Sequence, residues 1–154
     1  MELLPATEPE ALEVVYRRAC QMREQALPET TLLVAPEGLA SFDDFLSFQQ
    51  RVEDLFVDSF AGTYVTAGFH PDYTFAEYPP DSPVHEIHRS PYPILQLLRQ
   101  SSVAFAKTSG NLTEVLRRNR GRAEDLDVGW FQGRRSTTDG GAQKGEREPT
   151  ARRY

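Results

Sequence analysis

Between Thr30 and Phe69 the chain reads strand, helix, strand, and that order constrains the fold more than any other feature. Thr30-Thr31-Leu32-Leu33-Val34-Ala35 is short, β-branched and apolar at successive positions. That is the pattern of a strand buried on both faces, and Pro36 and Gly38 close it. Ser41 then opens a helix. With Asp44 it has the form of a capping box, and Asp43 and Asp44 suit the positive end of the helix dipole. Phe45, Phe48, Val52, Leu55 and Phe56 make one apolar stripe along it. Gly62 ends the helix, and Thr63 to Phe69 reads as a second strand. A helix with one stripe to bury, set between two strands, needs a sheet to pack on. The expected class is therefore α+β or α/β, a small sheet with helices packed on it. A ferredoxin-like βαβ unit is one form it can take, with the two strands paired through a right-handed crossover and the first two helices on one face.

The flanking segments are read in the same way. Thr7-Glu8-Pro9-Glu10 has the form of a capping box, and Leu12, Val15, Tyr16, Ala19 and Met22 follow at helical spacing until Pro28. From His70 to Arg89 the chain is irregular and carries Pro71, Pro79, Pro80 and Pro83, while Tyr73, Phe75 and Tyr78 argue that its first half packs. Ser90 reads as the cap of a third helix, with Pro91 and Pro93 in the first turn and Ile94, Leu97, Leu98, Ser101 and Phe105 on one side. A short fourth helix, capped by Asn111 with Glu114 three residues on, ends near Gly121. Two strands make a poor sheet alone, so a third is either absent from this chain or supplied by a partner. The expected core is Leu33, Phe45, Phe48, Val52, Leu55, Val65, Leu95 and Leu98.

Composition divides the chain. The hydrophobic share of 39% is low for a packed domain, and the polar, charged stretch beyond Phe131 accounts for it. A single domain is expected over residues 7–122, followed by a flexible, disordered basic tail over 123–154, in which Trp130-Phe131 is an anchor for the body or for a partner. Charge follows the same boundary. Residues 1–116 carry 7 basic and 17 acidic side chains, and residues 117–154 carry 10 basic and 6 acidic. A protein partner fits this division best. Nucleic acid bound through the tail is not favoured, because Asp139, Glu146 and Glu148 interrupt the basic residues and no set of stacking aromatics accompanies them. No apolar run is long enough for a membrane helix. The acidic first residues show no signal or transit peptide, and the one cysteine, Cys20, forms no internal disulfide, so an intracellular place, cytoplasm or organelle interior, is expected.

Chemistry-bearing residues cluster in two motifs. Gly68-Phe69-His70-Pro71-Asp72-Tyr73 stands at the exit of a strand, where open α/β sheets place their sites, and His70 with Asp72 nearby can act as a general base. The alternative is a structural turn whose imidazole bonds backbone. Arg89-Ser90-Pro91-Tyr92-Pro93 would start a helix, and Arg89, the Ser90 hydroxyl and the Tyr92 amide could hold an anion there. The alternative is a rigid corner with Arg89 paired to Asp81 or Glu86. The site residues singled out are thus His70 as acid or base, with Arg89, Ser90, Tyr92 and Tyr73 binding a ligand on one shared rim. His85 and His88, three apart, could share a zinc only with further ligands such as His70 and Cys20, which nothing in the spacing demands, so no metal is expected. No Walker loop, dinucleotide turn, nucleophile elbow or Cys-x-x-Cys occurs, so no cofactor is expected either.

Taken together, Thr30 to Pro36, Phe42-Asp43-Asp44-Phe45-Leu46, Gly68 to Phe75 and Arg89 to Arg99 make the chain resemble the uncharacterised family known as domain-of-unknown-function 1415. The resemblance runs from Leu12 to Ala106 and rests on the combination of Phe-His-Pro-Asp-Tyr with Arg-Ser-Pro-Tyr-Pro. Relatives typically carry a Cys-Pro-Phe segment near their start, which this chain does not contain. They more often show asparagine at the places of His85 and His88, and histidine at that of Gln96. Those departures favour a non-catalytic interaction or structural subunit of a larger assembly. The alternative is a small-molecule enzyme or ligand-binding domain acting on an anionic substrate.

Overall fold

In the computed structural model, which describes residues 1–25, 30–126 and 129, four strands form one mixed sheet. They are β1 (Glu2–Leu3), β2 (Thr30–Val34), β3 (Tyr64–Phe69) and β4 (Ile94–Arg99), side by side in the order β1-β2-β4-β3. β1 runs parallel to β2, and β4 runs antiparallel to both β2 and β3. Helix α1 (Glu8–Glu24) joins β1 to β2, and α2 (Phe42–Phe60) joins β2 to β3. The fold is α+β, with a split β-α-β unit in which β4 fills the gap between its two parallel strands.

Both crossovers advance across the sheet in the same direction, so a common handedness places α1 and α2 on the same face. The core lies there. Ala11, Val15, Ala19 and Met22 of α1 meet Phe45, Phe48, Val52 and Phe56 of α2 over Leu33, Leu95, Leu97 and Tyr64 of the sheet. The α2 stripe forms as its spacing requires, and the Asp44 amide donates to the Ser41 hydroxyl at its start. The helix stops because Ala61 and Gly62 turn left-handed, which lets the Gly62 amide reach back to the Phe56 carbonyl. At α1 the expected capping box does not form, and the Thr7 hydroxyl donates instead to the Glu10 carboxylate.

Several sequence expectations are corrected. The segments 30–35 and 63–69 share a sheet but do not pair, because β4 lies between them. The third helix expected from Ser90 is instead strand β4 followed by α3 (Gln100–Thr108). Ile94, Leu95, Leu97 and Leu98 satisfy both periods over so short a run, and the sheet decides between them. No partner is needed to complete the sheet, since β4 and β1 supply the third and fourth strands. In β2, Thr31 and Leu33 point inward and are buried, Thr30 and Leu32 on the other side are exposed, and Val34 at its end is buried as well. In β3 the inward set begins at Tyr64, so Val65 is half-buried, as are Leu98 and Leu55. Leu33, Phe45, Phe48, Val52 and Leu95 are buried as expected. Helix α4 (Asn111–Asp125) is capped by Gly110 at φ +73° rather than by Asn111, and passes through Gly121 without ending. The expected tail and its Trp130-Phe131 anchor lie outside the described residues.

Candidate functional site

Residues 70–93, between β3 and β4, fold into a cluster of rings held by imidazoles. His70 follows the last residue of β3 and is fully buried. Its ring lies 5.3 Å from that of Phe42 and 5.4 Å from that of Phe45, at the start of α2. The Asp72 amide donates to its Nδ1 at 3.0 Å, so the proton sits on Nε2 and goes to the Leu39 carbonyl at 3.1 Å. Among the described residues Leu39 is one of two non-glycine residues at positive φ, at 58°, and this bond pins it. Asp72 meets His70 through its backbone, and both ring nitrogens are committed to holding two loops together.

His85 lies in a short 3₁₀ turn (Pro83–Ile87) and repeats the arrangement. It is fully buried, accepts from the Phe75 amide at Nδ1 and meets the Pro79 carbonyl through Nε2 at 2.7 Å. His88 differs. Its Nδ1 lies 2.8 Å from the Gly68 carbonyl, which can only accept, so Nδ1 carries a proton and donates it there. The ring stacks on Phe69 at 5.0 Å and contacts those of Tyr73 and Phe75 at 4.8 and 5.0 Å. Among the described residues, His70 and His85 commit both ring nitrogens to main-chain groups, whereas His88 commits Nδ1 to one.

The Arg89 Nε donates to the Tyr73 carbonyl at 3.0 Å, and its terminal nitrogen pairs with the buried Glu86 carboxylate at 2.9 Å. Of the two carboxylates the sequence offered it, Arg89 takes Glu86. The Ser90 hydroxyl donates to the Tyr92 carbonyl. No helix begins here, so the helix-terminus basis for an anion site is corrected: the next residues enter β4. Tyr92 is 46% exposed. Tyr73 lies between Phe42, Phe75 and His88, and burial chiefly, with Glu77 second, raises its phenol above the usual tyrosine value. It therefore stays a neutral donor at physiological pH. The loop thus joins His70, Tyr73 and Arg89 through main-chain bonds, since the Tyr73 amide also donates to the His70 carbonyl.

Two residues to which the sequence reading gave no role of their own complete the frame. Gly68 faces α2, where a Cβ would stand 2.5 Å from Gln49 Oε1 and 2.8 Å from the Phe45 ring. Glu53 of α2 accepts from the Thr66 amide at 2.7 Å on the outer edge of β3. With His88 on the Gly68 carbonyl, two outward backbone groups of that edge strand are occupied by side chains. The signal for both lay in the register of β3, which the sequence leaves undetermined. Among the described residues no three His, Cys, Asp or Glu side chains are grouped to hold a metal, and no helix is long and apolar enough to cross a membrane.

The fold and its cluster define a class: an α+β domain whose long β3–β4 connection is stapled by buried neutral histidines. Within that class, the chain belongs to the family described as a protein of unknown function, DUF1415, whose model matches residues 4–132. No curated protein and no solved structure matches it.

Proposed function

We propose that this domain is a non-catalytic interaction module, a subunit of a larger assembly, which binds an acidic partner protein through α3 and α4. The observation that carries this reading is the poor burial of those helices. α3 has no buried side chain, Phe105 is 72% exposed, and Leu116 of α4 is 54% exposed. Beside them four arginines fall between Arg117 and Arg122. Arg117 pairs with Glu114 and Arg120 lies over the Tyr78 ring. Exposed rings and leucines next to arginines fit a partner that offers apolar side chains within an acidic surface.

Native mass spectrometry of the endogenous protein tests the reading. A stoichiometric acidic protein is expected, released by added salt and lost from a Phe105→Asp/Leu116→Asp variant whose thermal midpoint is unchanged. A bare monomer at low salt, a nucleic-acid adduct, or a variant that keeps its partner would sink it.

A second reading, an enzyme or binding domain for a small anionic molecule, draws support from His88 Nε2 beside the neutral Tyr73 phenol. In that reading Tyr73, Arg89, Ser90 and Tyr92 line the ligand's rim. His70, the acid or base expected from sequence, serves there to hold the loop, and His88 takes the ligand. A small molecule retained by the native protein and lost from His88→Ala would move the balance to this reading.

A further inference from the structure

Among the described residues, and apart from Tyr16 of α1, which packs on the Phe60 ring, the exposed large apolar side chains of the helices collect at two places. One is the surface on α3 and α4, where Phe105, Val115 and Leu116 stand beside arginines. The other is the outer side of α2, where Leu46 and Val57 are exposed. With Asp43, Gln50 and Asp54 they follow steps of three and four residues, so they share one stripe of the helix. α2 carries five acidic residues against one arginine, and the stripe is acidic around its two apolar side chains.

We infer that the acidic partner of α3 and α4 is a second copy of this chain, which presents its α2 stripe to them. The inference rests on the proposed reading of α3 and α4 as a partner surface, and it names the partner. The two surfaces match in kind, since one sets apolar side chains among carboxylates and the other sets them among arginines. Both also hold charges that the fold leaves unmatched. Among the described residues, neither Arg118 and Arg122 of α4 nor Asp43, Asp54 and Asp58 of α2 make a salt bridge. The lengths agree as well. Leu46 and Val57 stand about 16 Å apart along α2, and α4, at 15 residues, is long enough to lie along the whole stripe.

Each copy carries both surfaces, so the contact runs head to tail, and an assembly built on it grows until a ring closes or continues as a filament. The net charge of −6 repels whole copies at long range, so the attraction is local to the two surfaces.

Sedimentation equilibrium of the full-length chain, purified free of other proteins, tests this. Its mass should rise above that of the monomer as concentration increases. Phe105→Asp/Leu116→Asp and Leu46→Arg/Val57→Arg should each return the monomer. A mixture of the two variants should form a one-to-one pair and nothing larger. The first variant keeps its α2 stripe, the second keeps α3 and α4, and the altered surfaces stop further growth. All the altered side chains are exposed, so the thermal midpoints should hold. Where an apolar variant does not fold, Arg118→Glu/Arg122→Glu or Asp54→Lys/Asp58→Lys takes its place with the same expectation. A wild-type chain that stays monomeric on concentration, an oligomer that survives either variant, or a mixture that stays monomeric overturns the inference. The two readings fail separately. If the wild-type chain alone is a monomer and the endogenous protein carries a different acidic protein on α3 and α4, only self-assembly falls. An endogenous protein that is a bare monomer at low salt ends both.

Discussion

Gly68 shows how tightly one residue can bind the site to the core. Its missing side chain is the space in which the Phe45 ring lies, and Phe45 in turn packs on His70. Gly68→Ala should therefore cost about 1–3 kcal/mol by overpacking. A urea midpoint that stays in place would show the helix free to shift outward. Ala61 presents the opposite case. It is exposed and left-handed at φ 50°, a conformation that costs a residue with a Cβ about 1–2 kcal/mol. Ala61→Gly relieves that strain and adds freedom to the unfolded chain, so a net gain of about 0.5–1 kcal/mol is expected in the same titration. A loss would mean that the helix end relaxes differently. His70 was legible as a special residue from its place after a strand. Its partners were not, since Leu39 lies 31 positions away and is joined to it by tertiary structure alone.

Among the elements, α2 could be read almost completely from sequence, because cap, dipole and stripe all pointed one way. β4 could not. Six residues, with apolar side chains at four, fit a helix turn or a strand equally, and two antiparallel neighbours settle it. β1 is two residues long, below what any pattern can register, yet it is fastened by charge: Glu2 pairs with Arg17 and Arg18 of α1. Burial raises the Glu2 carboxyl, but the hydrogen bonds and charges of Arg18 and Arg17 outweigh it and hold the group below the usual glutamate value. A depressed folded value means stabilisation that is present above the unfolded value and lost as pH falls through the folded one. Glu2→Gln should thus lower the thermal midpoint at neutral pH and make no difference once acid has protonated the wild-type carboxylate. An equal deficit at both pH values would assign the effect to shape instead of charge. Because the arginines are partly exposed, added salt should shrink the difference.

At the scale of the molecule, α1, α2 and one face of the sheet share a single buried cluster, so the domain should unfold as one unit. Phe48 is fully buried within it, and Phe48→Ala should cost about 3–5 kcal/mol with dichroism and tyrosine emission lost together. A loss below about 1 kcal/mol, or two separate transitions, would show that α2 is not the centre of the cooperative unit. The amino-acid order by itself determined that α1 and α2 are amphipathic and that strands flank α2, since those are local matters of spacing and capping. Only the tertiary structure decided that β4 lies between β2 and β3, that the inward set of β3 begins at Tyr64, and that His70, His85 and His88 point where they do. The reason is physical: strand order, register and the partner of an imidazole are relations between distant segments. Their energies appear only when those segments meet, and a local pattern that fits two structures equally well holds no information about which neighbour it will find.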